Sequence, residues 1–553
     1  MPALDWIGKK SVINHYKQLP YYLLHNDVDL SVEACNSEGN MLVHGDNLIA
    51  LKALLPYYGG EVKFCYIDVP YNTGNEAWIY NDNVNDPQIR KWLGQVVGKE
   101  LEDLSRHDKW LCMMYPRLQL LKKFLKDEGF LCVHIDDAEG AHLKVMLDEV
   151  FGASNYMATM YIQVRYDDKT LKQDMLFHKQ VEQILIYRKT PKAKPRLESE
   201  DYSYEKFFYS IKELGTGTEM EIGGKKVILF QKGEYEVIEH EEGFKEGLKE
   251  IWASGTILDG NSSGRFFRDY LTGRKEIDGL GCLYKVFDIG DDMYDYRYFT
   301  GPKRSNATKG KYYQGVPTEK LKEDSQRTKS IKTFYDMAAD FGNCRHEGGV
   351  EFKSGKKPEI LISTLLEYFT EEEDLVIDSF AGSGTTAAVC QKMNRRWITI
   401  EMGDHCYTHT QKRLKNVVKG LDKTGVSTKY NWEGGGGFTF CELSIPLTNK
   451  FGILNKEVSY EHLARHIFFN ETGKAITEDE LNEKPYIAQH KSTNYFLLYD
   501  TNNESVMGQA ELKYIASFKG KKVVYADKNG VSSKKLIDND IVFKQIPYQV
   551  EVR

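Results

Sequence analysis

Apolar residues along this chain change their spacing several times, and the changes mark its elements. Met41–His44 is a short apolar run, Gly45, Asp46 and Asn47 supply turn and cap residues, and Leu48, Leu51, Leu54 and Leu55 then recur at helical spacing. Val62–Ile67 is a second continuous apolar run. Strand, helix and strand in so short a span is the βαβ rhythm of a parallel sheet, whose strands are buried on both faces and so show no alternation. The rhythm continues through an amphipathic helix over about Asp108–Asp127 ended by Gly129, a strand at Phe130–Ile135, a helix at Ala138–Val150 and a strand at Val181–Tyr187.

Thr190–Pro195 then brings two prolines and no apolar period, which is the signature of a domain boundary. From 196 to 344 the chain is rich in Tyr, Phe, Gly and charge, with short runs such as KKVILF and no steady βα alternation. That stretch reads as an insert. After it Lys357-Pro358-Glu359 opens a helix through Leu365 and Leu366, Asp374–Asp378 is a strand, Ala387–Lys392 lies in a helix, and Trp397–Ile400 is a strand ending at Glu401. From 421 the glycines 434–437 and the pieces FTFCEL, YFLLYD, KVVYAD and IVFKQI predict a small α+β unit. The expected fold class is α/β: a Rossmann-like, mainly parallel sheet split between 1–195 and 345–420, an inserted domain at 196–344, and a C-terminal α+β domain at 421–553.

Composition narrows the function classes. No apolar run approaches the roughly 20 residues that cross a bilayer, so no membrane role is expected, and the start of the chain lacks a signal-like stretch. Nine scattered cysteines fit a reduced, cytoplasmic setting. With no C-x-x-C pair among the scattered cysteines, no metal site is expected. A net charge of −7 excludes a uniformly basic coat but leaves room for a local basic face. One stretch is a candidate: Lys303, Arg304, Lys309, Lys311, Lys320, Lys322, Arg327, Lys329 and Lys332 stand against only Glu319, Glu323 and Asp324, although such a run taken alone is more often a solvated face.

Two motifs carry chemistry. In Asp378-Ser-Phe-Ala-Gly382-Ser-Gly384-Thr385-Thr386 a Gly-x-Gly follows a strand and precedes a helix, where backbone can approach a ligand and the helix N-terminus favours an anionic group. Asp378 at the strand end is poised for an amino group or a hydroxyl, and Glu401, at the tip of the next strand, for a ribose diol. There is no third glycine in dinucleotide spacing and no G-x-x-x-x-G-K-[ST] loop, so a ribose-bearing ligand without polyphosphate is expected. S-adenosylmethionine answers that description.

The second motif, Asp68-Val69-Pro70-Tyr71, ends the strand Val62–Ile67. An exocyclic amine such as adenine N6 is a poor nucleophile because its lone pair is delocalised. Asp68 and the carbonyl of residue 69 are suited to accept its two N–H bonds, and Tyr71 to stack on a base turned out of the helix, with Asn72 and Thr73 at the pocket edge. Seen alone, the tetrapeptide is equally a turn bent by Pro70.

Taken together, the motifs resemble those of the amino-group DNA methyltransferases: DVPY is similar to their (D/N/S)PP(Y/F) motif and DSFAGSGTT to their adenosylmethionine loop. The order, catalytic motif first and cofactor loop after a long insert, resembles the β class, which includes the modification subunits of type III restriction systems. HGDNLIAL, KPE, SSGRFF and KGKYYQGVP extend the likeness over about 40–420. The resemblance implies Asp68 and Tyr71 at the target amine, with Phe380, Gly382 and Glu401 around the cofactor. It also implies Asp46, Lys357 and Pro358 at the cofactor's periphery, and Asp378, Gly384 and Thr385 in its loop. The insert then corresponds to a target-recognition domain for double-stranded DNA, with Arg265, Arg268, Lys303, Arg304, Lys309, Lys311 and Asn72 as candidate DNA contacts.

The departure is Val69, where the family usually has Pro. Val presents the same backbone carbonyl but loses the ring's preorganisation, roughly 0.4–1 kcal/mol. Asp at the first position is, in the family, the tendency of adenine-N6 enzymes. Three further readings stay open: a DNA-binding subunit that has lost turnover, a cytosine-N4 enzyme, and an RNA amine methylase. A restriction helicase-nuclease subunit or a second copy of the chain are the partners the resemblance suggests.

Overall fold

The computed structural model describes residues 4–72, 106–168, 176–201, 203–253, 262–318, 326–352, 355–449, 453–455, 457–477 and 479–546. Thr73, Lys320 and Lys322, singled out above, lie outside them. Contacts divide the chain into a first unit, Met1–Arg196 with Lys332–Arg553, and a second, Leu197–Ile331.

The first unit is built on one ten-stranded sheet. In chain order its strands are β1 (Tyr22–Val32), β2 (Met41–His44), β3 (Val62–Asp68), β4 (Leu125–Ile135), β5 (Tyr156–Gln163), β6 (Val181–Arg188), β7 (Phe334–Asp336), β8 (Leu375–Asp378), β9 (Arg396–Glu401) and β10 (Phe438–Pro446). Across the sheet they lie in the order β1-β10-β2-β9-β8-β3-β4-β6-β5-β7. The six from β10 to β4 are mutually parallel, whereas β1 and β6 run against their neighbours. This is the Rossmann-like, mainly parallel sheet expected from the apolar runs. The helices that matter for the site are α1 (Asn47–Tyr58), α2 (Arg106–Phe124), α3 (Gly140–Phe151), α4 (Glu359–Phe369), α5 (Thr385–Lys392) and α6 (Gln411–Val418). Asp46 caps α1, its carboxylate accepting the Leu48 and Ile49 amides.

Three local expectations shift. Gly129 does not end a helix: α2 stops at Phe124, β4 begins at Leu125, and Gly129 sits in a register irregularity between the pairs Val62/Leu125 and Phe64/Phe130. A Cβ there would lie 2.9 Å from the Lys126 carbonyl oxygen and 3.1 Å from that of Val62, so the kink needs glycine. FTFCEL, grouped above with the C-terminal unit, is instead β10, paired with β2 and β1. Residues 334–336, placed above in the insert, form β7 and pair with β5. What remains of the C-terminal part is a four-stranded sheet (Tyr486–His490, Thr493–Leu497, Lys521–Ala526, Ile541–Gln545) with the helix Tyr460–Thr472, around a core that includes Val458, Ile467 and Ile487.

The second unit carries a six-stranded antiparallel sheet in which Lys225–Phe230, the KKVILF run, pairs on both sides. The hairpin of Tyr296–Thr300 and Gly310–Gln314 bears the basic residues of its tip, and Lys275 Nζ holds that tip by the carbonyls of Ser305 (2.6 Å) and Ala307 (3.1 Å). Among the described residues no helix is long and apolar enough to cross a membrane.

Beneath the β8–α5 turn lies a charged cluster closed off from solvent. Lys392 Nζ reaches Glu359 Oε2 and Asp422 Oδ2, each at 2.7 Å, and Arg413 Nη2 reaches Glu359 Oε1 at 2.8 Å. Arg413 also donates to Thr385 Oγ1 at 2.7 Å, so α4, α5 and α6 are locked to the loop itself. Removing one partner of a buried ion pair strands the others, at a cost of about 3–5 kcal/mol. Glu359→Ala is therefore expected to lower unfolding stability by that amount in denaturant titration, while Glu433→Ala, at an exposed position, stays within about 0.5 kcal/mol of the parent.

Candidate active site

Val376 lies opposite Phe64 and Ile377 opposite Cys65, so the C-terminal ends of β8 and β3 open on the same edge of the sheet. Ligands of open α/β sheets bind at that edge. A cavity of about 460 Å3 occupies it, lined by both motifs: Asp68 and Pro70 from the end of β3, Asp378, Phe380, Gly382 and Thr385 from the turn after β8, Glu401 from the end of β9, and Lys357 from the approach to α4. The volume is within the roughly 300–1,000 Å3 usual for small-molecule sites.

On the loop side, Gly382 and Gly384 have φ of +52° and +76°, and a Cβ on Gly384 would stand 2.9 Å from Thr410 Cγ2. Both facts require glycine. Asp378 accepts the Phe380 amide at 2.9 Å and the Thr386 hydroxyl at 2.6 Å. Glu401 accepts three backbone amides, Gly382 at 2.8 Å and Met402 and Gly403 at 2.9 Å. Burial pushes both carboxyls up to about 7, against the opposing pull of those hydrogen bonds. Glu401 thus stands where its carboxylate can exchange an internal amide for a ligand hydroxyl.

On the tetrapeptide side, Lys357 Nζ pairs with Asp68 Oδ2 at 2.9 Å, and Asp68 Oδ1, buried, has no hydrogen-bond partner among the described residues. One carboxylate oxygen is therefore held and the other is left for a donor. Tyr71 is fixed by its hydroxyl, which donates to Glu182 Oε2 at 2.8 Å, and the Lys357 ammonium lies 5.0 Å from its ring centre. His134 Nε2 is 2.9 Å from the same Glu182 oxygen, and its Nδ1 meets the Tyr66 hydroxyl at 2.9 Å. Burial would raise the Glu182 carboxyl, but the Lys357 ammonium, His134 and the Tyr71 hydroxyl outweigh it and hold the group below the usual range. Burial likewise opposes the charge on Lys357, and Asp68 and Glu182 more than restore it. Val69 is fully buried in the main core, and the Trp110 indole donates to the Pro70 carbonyl at 2.7 Å.

The structure thus gathers Asp68, Pro70, Lys357, Asp378, Phe380, Gly382, Thr385 and Glu401 around one cavity, while Val69, Tyr71, Pro358 and Gly384 are next to lining residues in the chain but are not among those that line it. Lys357 differs from expectation: its ammonium faces the tetrapeptide carboxylate as well as the cavity. Asp46 stands behind Asn47, which lines the cavity and donates to the Ser379 carbonyl at 2.7 Å, and it pairs with Arg117 at 3.2 Å. Asn72, expected at DNA, is buried, its amide nitrogen bonded to Glu139 and to the Arg106 carbonyl. In the second unit Arg265, Lys303, Arg304 and Lys309 are exposed, but Arg268 is paired with Asp269 at 2.6 Å and Lys311 with Glu250. Sequence reading missed Glu182, His134, Asn47 and Arg117. Glu182 did leave a signal, the one charged residue in the strand run 181–187, VEQILIY.

A family profile described as DNA methylase matches residues 62–412, from the first residue of β3 through the start of α6. Among curated proteins the chain is 28% identical over 444 residues to a probable type III restriction-modification enzyme HindVI Mod subunit of Haemophilus influenzae, covering 73% of this chain and 54% of that protein. It is 26% identical over 431 residues to the type III restriction-modification enzyme EcoPI Mod subunit of Escherichia phage P1, covering 71% and 61%. The chain thus spans little more than half the length of these relatives. Among solved structures, PvuII DNA methyltransferase (cytosine-N4-specific) aligns over 71% of this chain and 90% of its own at 14% identity, with a TM-score of 0.32 that carries no weight for the overall shape. The profile match covers most of the chain, including both motifs and the whole insert between them, and on that ground the chain belongs to the DNA methylase family.

Proposed function

We propose that this chain transfers a methyl group from S-adenosylmethionine to N6 of an adenine turned out of double-stranded DNA, as the modification component of a restriction-modification system. The observation that carries the proposal is Asp68 Oδ1, a buried carboxylate oxygen without a hydrogen-bond partner among the described residues, in the same cavity as Glu401 and the Gly382 loop. The names of the relatives support the setting, with a restriction subunit as partner, and Asp at the first motif position supports adenine over cytosine.

The residues present fit adenosylmethionine: Glu401 would take the ribose hydroxyls, and Phe380, Gly382 and Thr385 would wall the remainder. Bound there, adenosylmethionine supplies an electrophilic methyl whose bonding electrons leave on sulfur. The chain's own part is to prepare the amine. Asp68 Oδ1 and the Val69 carbonyl accept its two N–H bonds, localising the nitrogen lone pair for attack, and the proton released from nitrogen passes out through these acceptors. Lys357 holds Asp68 Oδ2, so the free oxygen keeps its place. Tyr71, its hydroxyl anchored on Glu182, offers a ring face to the base, a contact of roughly 1–3 kcal/mol against an unstacking cost of a few. The exposed Arg265, Lys303, Arg304 and Lys309 would meet phosphates or guanine edges.

Incubation with methyl-labelled adenosylmethionine and mixed-sequence plasmid DNA, followed by digestion to nucleosides, should place the label in N6-methyl-2′-deoxyadenosine. Label in N4-methyl-2′-deoxycytidine would replace the adenine reading, and unlabelled DNA with donor binding intact would leave a binding subunit. Asp68→Ala should abolish transfer while retaining the donor.

Val69→Pro is expected to react within about twofold of the parent in single-turnover assays, because burial of Val69 and the Trp110 bond already supply the rigidity a proline ring would add. Glu182→Gln, which removes the charge that anchors Lys357 and His134, should slow transfer by about 10–100-fold at unchanged donor affinity.

Donor affinity should follow pH. The folded carboxyls of Asp378 and Glu401 sit near 7, above their unfolded values, so between pH 4.5 and 7 the folded state holds the extra proton and the unliganded protein loses stability as pH rises. A ribose hydroxyl donates best to the ionised form, so calorimetric affinity should rise about tenfold from pH 6 to pH 8. Glu401→Gln should flatten that rise.

A further inference from the structure

Glu139 follows the end of β4 and occupies the N-cap position of α3, yet its carboxylate makes no capping bond to that helix. It is fully buried and turned toward the tetrapeptide instead. One oxygen, Oε1, accepts the Asn72 side-chain amide in a short hydrogen bond and lies 2.6 Å from His107 Nδ1; the other, Oε2, lies 2.8 Å from His142 Nδ1. Asn72 is the residue after Tyr71, and it holds a left-handed backbone, φ +56°, a region that Asn tolerates better than most residues. The same Asn72 amide donates to the Arg106 carbonyl at 3.3 Å, so Glu139 joins the exit of the tetrapeptide to the first turn of α2. That helix also carries Trp110, whose indole grips the Pro70 carbonyl.

These contacts form one chain from Glu139 to the tetrapeptide: Asn72 fixed at one end, Pro70 at the other, Tyr71 between them. We propose that Glu139 is a positioning residue for methyl transfer, acting through Asn72 to hold the tetrapeptide in the conformation that presents Asp68 and the Val69 carbonyl. The proposal rests on the reading of the site given above. His107, Glu139 and His142 also have ligand atoms within 4.8 Å of one another, the donor set of a zinc site. The separations of 2.6 and 2.8 Å are those of hydrogen bonds, however, whereas two ligands on a tetrahedral zinc with bonds of 2.0–2.1 Å stand about 3.3 Å apart. The imidazoles therefore serve Glu139 as donors.

The test is a double-mutant cycle on the full chain, read by single-turnover methylation and donor calorimetry. Glu139→Ala should cut the transfer rate at least tenfold with donor affinity within twofold of the parent. Asn72→Ala should do the same, and the double variant should be no slower than either alone, because both break one link. Glu139→Gln keeps an acceptor for Asn72 and should fall between parent and Glu139→Ala. Independent losses that multiply, or a Glu139→Ala rate equal to the parent's, would overturn the proposal. So would activity lost on chelation and restored by Zn2+, which would make Glu139 a metal ligand.

A second readout needs no methylation. The Trp110 indole N–H resonance, assigned with Trp110→Phe, should move in Glu139→Gln and Asn72→Ala alike as the Pro70 carbonyl shifts. If the parent protein methylates nothing, the proposed function fails while this resonance still decides the positioning role; an indole signal unmoved by both variants refutes it.

Discussion

Val376 beside Phe64 and Ile377 beside Cys65 set the register of β8 against β3, and in a parallel sheet that register decides which residues meet at the C-terminal edge. Because both strands are buried on both faces, a slip by one residue would turn every side chain to the opposite face. Asp378 and Asp68 therefore leave the sheet on the same side, two residues out of step, and the turns that follow share one cavity. The chain between them is free to leave the sheet and fold as a separate unit, since the pairing needs only the two strands.

Charge is used in two ways around this edge. Below the cofactor loop, the side chains of Lys392, Arg413, Glu359 and Asp422 are buried and paired with one another, so they hold three helices to the loop. Inside the cavity Lys357 holds one oxygen of Asp68 and Glu182 steadies Lys357 and Tyr71, while Asp68 Oδ1 has no hydrogen-bond partner among the described residues. The first cluster is a structural clamp. The second leaves a buried carboxylate oxygen in the wall of the cavity.

The βαβ rhythm, the two glycines and the tetrapeptide were legible because each depends on local sequence: apolar runs, a positive φ at Gly382 and Gly384, a cap at Asp46. Gly129 was misread for the same reason, since a glycine after an amphipathic run looks like a helix end until the partner strand shows it filling a kink against Val62. FTFCEL was recognisable as a strand, but its sheet was not, because pairing partners are not written in the strand itself. Among the basic residues, sequence could count Arg268 and Lys311 but not see that Asp269 and Glu250 neutralise them.

By itself the sequence determined the α/β class and the two motifs in their order, since short-range spacing and backbone preference suffice for these. Only the tertiary structure decided that Lys357 faces Asp68, that Glu182 and His134 stand behind Tyr71, and that Glu139 reaches Asn72. Those contacts join residues far apart in the chain through strand register and helix packing. Their energies arise from burial, which strengthens each hydrogen bond and penalises each unpaired charge, and burial is a property of the folded molecule alone.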